Sequence, residues 1–212
     1  EGLVGYWNFN EGDGDVLTDL IGNNNGTIFG ATWSNDVPAD YQPIANHSLS
    51  FDGVDDYIKA TSPQRPSGDM PPELTGNQPF TASMWFKPTA NKVQSYLMAF
   101  GTADTDDAYY IGFPYSDGKL QTGFYNRGVD TTYIAPLNQW QHLAVSWDGN
   151  ATQTIYVNGI KHSDNNASGA MPNIDAAGTL NIGKQINPHS EYFKGSIDDV
   201  RIYNRALSAA EV

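Results

Sequence analysis

The chain has 212 residues, 24 of them acidic and 11 basic for a formal charge of -13, and it contains no cysteine. A chain of this length buries a core without staples, while the missing thiols exclude a disulfide scaffold, a thiol nucleophile and a thiolate zinc site. The charge repels phosphate backbones and anionic lipid surfaces, and no apolar run is long enough to span a bilayer, which argues against nucleic acid and membrane insertion.

Glu is used five times, Lys seven and Leu 11, against 21 Gly, 19 Asn and 19 Asp, a balance that favours turns over helices. Along the chain, strands are predicted near Leu3 to Phe9, Gly26 to Ala31, Ser48 to Phe51, Tyr57 to Ala60, Pro79 to Lys87 and Tyr96 to Gly101. They continue near Tyr109 to Phe113, Lys119 to Tyr125, Trp140 to Trp147, Thr154 to Val157, Thr179 to Ile182 and Lys194 to Tyr203. Period two is clearest where Phe80, Ala82, Met84 and Phe86 share one face, and where Leu143, Val145 and Trp147 oppose His142, Ala144 and Ser146. The dipeptides Asn25-Gly26, Asp52-Gly53, Asp117-Gly118, Asp148-Gly149 and Asn158-Gly159 suit tight hairpins that need positive φ. Thr61 to Gln78, with four prolines, reads as a long surface loop. The expected fold is all-β: two packed antiparallel sheets in a jelly-roll sandwich, one domain over residues 1–212. Its ends at Glu1 and Val212 read as cut edges, which predicts one module of a larger protein.

Several segments carry a family resemblance. Gly2-Leu3-Val4-Gly5-Tyr6-Trp7-Asn8-Phe9-Asn10-Glu11-Gly12 opens the chain; Asp19 with Asn23 to Thr27, and Ser48 to Ile58, follow. Phe80 to Phe86, Trp140 to Gly149, Ile155 to Gly159 and Gly195 to Ser208 complete the order. The chain thereby resembles the laminin-G-like, concanavalin A-like jelly-roll domains of bacterial extracellular proteins. Lectins, enzymes and spacers all use that fold, so the resemblance implies the architecture more than the ligand.

Calcium is the expected cofactor. A hard cation takes six to eight oxygens, and Asp19, Asn24, Asn25 and Gly26 offer one carboxylate and a turn rich in carbonyls. Asp198 and Asp199 add adjacent carboxylates on the last strand, a pair that calls for a counter-ion or for Arg201. The resemblance implies one calcium where the first loop meets the last strand, with Asp198 as the direct ligand; strand alternation sends Asp198 and Asp199 to opposite faces. Asp104, Asp106 and Asp107 lack the glycine and closing Glu of an EF-hand and form a candidate for a second, exposed metal.

Catalysis is not expected. Retaining glycosidases use two carboxylates about 5–5.5 Å apart, and none of Glu1, Glu11, Glu73, Glu191 and Glu211 lies in a central strand beside an acidic partner. Tyr192-Phe193-Lys194-Gly195 is superficially similar to the catalytic strand of alginate lyases, but Gln185-Ile186-Asn187 has Asn where the lyase pattern needs His. His47, His142, His162 and His189 are isolated, and no nucleophile elbow accompanies them.

Sugar binding needs aromatic platforms with planar polar groups beside them. The richest loops hold Asp104, Asp106, Asp107, Tyr109, Tyr110, Tyr115, Asp117, Gln121, Tyr125, Asn126 and Arg127, with Trp33 and Tyr41 as a second candidate. Trp7, Trp85, Trp140 and Trp147 are expected in the core. The expected function is non-catalytic, calcium-dependent recognition of a carbohydrate or cell-surface glycan. The module would serve a secreted or surface-anchored bacterial protein, as an adhesin or enzyme accessory domain. The alternative is a structural spacer or a protein-binding module.

Overall fold

The computed structural model describes residues 1–39, 46–60, 71–91, 93–103, 107–124, 127–166, 173–186, 189 and 191–212. The strands are β1 Leu3–Trp7, β2 Val16–Leu17, β3 Gly26–Phe29, β4 Thr32–Ser34, β5 Ser48–Asp52, β6 Tyr57–Ala60, β7 Phe80–Pro88 and β8 Ser95–Gly101. They continue as β9 Ala108–Phe113, β10 Lys119–Phe124, β11 Arg127–Ile134, β12 Gln141–Trp147, β13 Thr152–Val157, β14 Ile160–Asn166, β15 Thr179–Ile182 and β16 Lys194–Tyr203. The described residues contain no α-helix, hence none long and apolar enough to cross a membrane.

Two antiparallel sheets result. One runs β14-β13-β12-β7-β16-β5-β4, with β1 also paired to β16; the other runs β11-β10-β9-β8-β15-β6-β3-β2. This is the expected sandwich. Side chains alternate across each strand, so the inward rows of the two sheets interdigitate as one core. Phe80 meets Phe100 at 5.3 Å and Tyr109 at 4.9 Å edge-on, and Phe124 meets Trp147 at 5.1 Å. Edge-to-face contacts satisfy the ring quadrupoles and add to the gain from burial.

Four strands escape the sequence reading. β2 and β4 span two and three residues. β11 and β14 are the outermost members of their sheets, where a polar run such as Ile160-Lys161-His162-Ser163 faces water along one edge. Tyr133 of β11 packs edge-on against His162 of β14 at 4.8 Å, tying the two sheets together at that end.

The chain path positions β16 beside everything that follows. On one side it pairs with β7 throughout, setting Asp198 opposite Trp85 and Arg201 opposite Ser83. On the other it pairs with β5 as far as Ile197↔Leu49 and then with β1 from Val200↔Trp7 onward. Asp198 and Asp199 occupy the change of partner. A bulge falls there, and Asp199 takes φ 50°, in the left-handed region.

Candidate functional site

The outer face of the β7, β12 and β16 strands follows from the alternation that builds the core. With Phe80, Ala82, Met84 and Phe86 turned inward, Trp85 must turn outward, and it is half-buried there. Its cross-strand neighbours are His142 on β12 and Asp198 on β16. A groove of about 600 Å³ opens on this face, lined by Trp85, Trp140, His142, Asn158, Asp199 and Arg201 among others.

Each lining group is held in place. The Trp85 and His142 rings are tilted against one another at 5.3 Å. The Trp140 indole N–H donates to Asp36 Oδ1 at 3.1 Å, and the Lys87 ammonium, itself ion-paired with Asp36, stands 5.4 Å from the Trp140 ring centre. Arg201 Nη2 lies 3.2 and 3.1 Å from the two oxygens of Asp199, and the guanidinium carbon sits 4.8 Å over the Tyr6 ring. Asn158 accepts from the His142 backbone N–H at 2.9 Å and donates to Gln141 at 2.8 Å, which fixes the hairpin at the groove's edge.

The electrostatics of the groove are close to neutral. Burial lowers the His142 pKa, with Asp199 opposing and Arg201 reinforcing the shift, so the imidazole is uncharged at neutral pH. The Tyr6 hydroxyl is pushed up to about 12, chiefly by burial and then by the charge of Asp199. The bulge interrupts strand alternation at the Asp-Asp pair; Asp199 lines the groove and Asp198 does not.

Asp198 is fully buried, and neither of its oxygens accepts a hydrogen bond of good geometry. Burial and the adjacent Asp199 push its pKa up to about 8. A buried carboxylate with no donor is costly unless a cation meets it. Asn24 Oδ1 is a further buried oxygen without a donor, while the Asn24 carbonyl accepts from the Trp7 indole at 3.0 Å. These are the oxygen types a hard cation takes.

Asp19 is held differently. Its Oδ1 accepts from the backbone N–H groups of Tyr6, Ile21 and Gly22 at 3.0, 3.1 and 3.0 Å. Its Oδ2 accepts from the Asn24 N–H and side-chain amide at 3.2 and 3.1 Å. Five donors converge on the carboxylate, so the backbone of the loop is organised around it. The Asn25 side-chain oxygen accepts from the Asp19 N–H at 3.0 Å, and Gly26 is packed in β3 against β6. The loop is a backbone-organising turn, and Gly22 is required in it because a Cβ would lie 2.9 Å from the Val4 carbonyl oxygen.

Among the described residues, those of the second predicted set do not gather in one pocket. Tyr109 is fully buried between the sheets with its hydroxyl against Thr122 and Gln153, so it cannot face a ligand. Gln121 is also buried, accepting from Tyr110 at 2.6 Å and donating to Asp130 at 2.6 Å. Tyr115 is exposed on the β9–β10 turn, and Asp117 there pairs with Lys119 at 3.0 Å. The Asp107 carbonyl closes a turn with Thr102 at 3.1 Å. Asp104, Asp106, Tyr125, Asn126 and the side chain of Arg127 lie outside the described residues, as does Tyr41. Trp33 donates to the Gly14 carbonyl at 2.9 Å.

Trp7 and Trp147 are core residues as expected, but Trp85 and Trp140 are not. The signal for Trp85 was already present in the alternation of the Phe80 to Phe86 run. A further acidic group, Asp52, Asp55 and Asp56, gathers at the β5–β6 turn. Asp52 accepts from Val54 N–H and Asp56 from Asp52 N–H, both at 2.7 Å, so this cluster shapes the turn.

No curated protein matches the chain. Among solved structures it is similar to domain 4 of AbnA, a GH43 extracellular arabinanase from Geobacillus stearothermophilus, in complex with arabinotriose. That match has a TM-score of 0.71 at 23% identity, covering 99% of this chain and 95% of that one. It is also similar to the Trypanosoma rangeli sialidase in complex with sialic acid (TM-score 0.72, 18% identity, 99% of this chain and 32% of that chain). The binding domain of Paraclostridial Mosquitocidal Protein 1 gives a TM-score of 0.71 at 17% identity, covering 99% of this chain and 50% of that chain. The chain thus spans only a third to a half of these last two. At such identities the likeness establishes the fold. Residues 52–212 match the family model of the concanavalin A-like lectin/glucanases superfamily, and with more than half of its length so matched the chain belongs to that superfamily.

Proposed function

We propose that this domain recognises a glycan without transforming it, and that a calcium ion held by Asp198 stabilises it. The observation that carries the first part is the groove, where Trp85 and Trp140 stand beside His142 and the Asp199–Arg201 pair. Aromatic faces take the apolar face of a sugar ring, and the carboxylate and guanidinium offer an acceptor and donors to its hydroxyls. A relative of the same fold is a domain of an extracellular arabinanase seen with arabinotriose, which supports a sugar ligand and an extracellular module within a larger protein. Asp199 is the one side-chain carboxylate among the described residues lining the groove, and Arg201 holds it. Glycoside hydrolysis needs two carboxylates, which supports a binding role. Calcium, when bound, would neutralise the charge of Asp198, outside the groove's lining.

The test is a glycan array probed with the wild-type domain, alongside reducing-end and unsaturated-product assays on arabinan, laminarin, agar, alginate and pectin. Retention of at least one glycan class with every assay at background is expected. Turnover above background, or no retention on any glycan, contradicts the reading and favours a spacer.

A further inference from the structure

We infer that the groove selects uncharged oligosaccharides over sugars bearing carboxylates, an inference that rests on the glycan-binding reading above. An anionic sugar needs a cation able to turn toward it, and among the described residues Arg201 and Lys87, the two beside this groove, are both committed. Arg201 contacts both oxygens of Asp199 at 3.1 and 3.2 Å and stacks over Tyr6. Asp199 is only 4% exposed, so drawing Arg201 away would strand a buried carboxylate. Lys87 is ion-paired with Asp36 and poised over Trp140. His142 adds no charge at neutral pH. The chain as a whole carries a formal charge of -13, which disfavours the approach of an anion.

What the groove does offer suits a neutral chain. Trp85 offers an aromatic platform, Trp140 lies beside Lys87, and Asp199 with Arg201 supplies acceptor and donor groups for sugar hydroxyls. About 600 Å³ lies within the range of small-molecule clefts and has room for more than one sugar unit. The Asp199–Arg201 pair is the specificity determinant: it neutralises the guanidinium that would otherwise read a carboxylate.

The experiment is calorimetric titration of the domain in saturating calcium with arabinotriose and cellotriose as neutral probes and trigalacturonate as the anionic one. At least tenfold tighter binding of a neutral trimer is expected, unchanged between low and high salt because no ion pair forms. Trp85→Ala should weaken that binding at least tenfold. Asp199→Asn should weaken it too while raising trigalacturonate affinity at least tenfold, because Arg201 is then released; thermal melts verify that both variants fold. Preference of the wild type for trigalacturonate, or no gain for it in Asp199→Asn, overturns the selectivity. Neutral binding that survives Trp85→Ala overturns the groove as its location. A wild type that binds none of these probes and no arrayed glycan overturns the glycan-binding reading itself, and selectivity falls with it.

Discussion

Asp19→Ala should lower the melting temperature by about 10 °C, even in chelator. The carboxylate accepts five hydrogen bonds from Tyr6, Ile21, Gly22 and Asn24, three of them on one oxygen. Asp19 is 5% exposed, so its removal leaves buried N–H donors unmatched at roughly 1–3 kcal/mol each where water cannot reach them. A net loss of about 3–5 kcal/mol is expected, since part of the loop rehydrates, and a domain of this size shifts by about 2–4 °C per kcal/mol. Differential scanning calorimetry in chelator measures it directly. A variant that melts with the wild type in chelator and falls behind only in calcium would instead make Asp19 a metal ligand.

The opposite pattern is expected at Asp198. Calcium at a hundredfold excess over its Kd stabilises a native-only site by about 2.7 kcal/mol, which raises the wild-type melt by several degrees. In Asp198→Asn that gain should vanish. In chelator the same variant should melt close to the wild type, because a pKa of about 8 leaves the fully buried Asp198 largely protonated at neutral pH and the amide is its neutral counterpart. Paired melts of both proteins with calcium and with chelator decide the matter. A wild type indifferent to calcium, or an Asp198→Asn variant that keeps the full calcium response, contradicts the assignment.

The sandwich was legible because period-two alternation in Phe80 to Phe86 and Trp140 to Trp147 reports which face meets the core. The edge strands β11 and β14 were not, since a strand with one side in water needs no apolar row. The same alternation placed Trp85 and His142 off the core face. Large aromatics within a family motif were nevertheless read as packing, which hid the groove. What no sequence pattern could supply is register: β7 sets Trp85 between His142 and Asp198 only because its two neighbours pair with it at those positions. The bulge at Asp199 was equally hidden, as no glycine marks its positive φ. The Asp19 loop is ambiguous in sequence for a chemical reason. An Asp followed by Asn-Asn-Gly can ligate a cation or organise its own backbone, and only the three-dimensional count of N–H donors separates the two.

The central claim, that a glycan binds on the outer face of β7, β12 and β16, is tested most directly by the indole N–H resonances during a sugar titration. The five tryptophans report on distinct places: Trp7 and Trp147 in the core, Trp33 at the Gly14 carbonyl, and Trp85 and Trp140 in the groove. On addition of the tightest array ligand, the Trp85 and Trp140 signals should move together while those of Trp7 and Trp147 stay fixed. A saturable shift elsewhere, with Trp85 and Trp140 unmoved, would contradict the account.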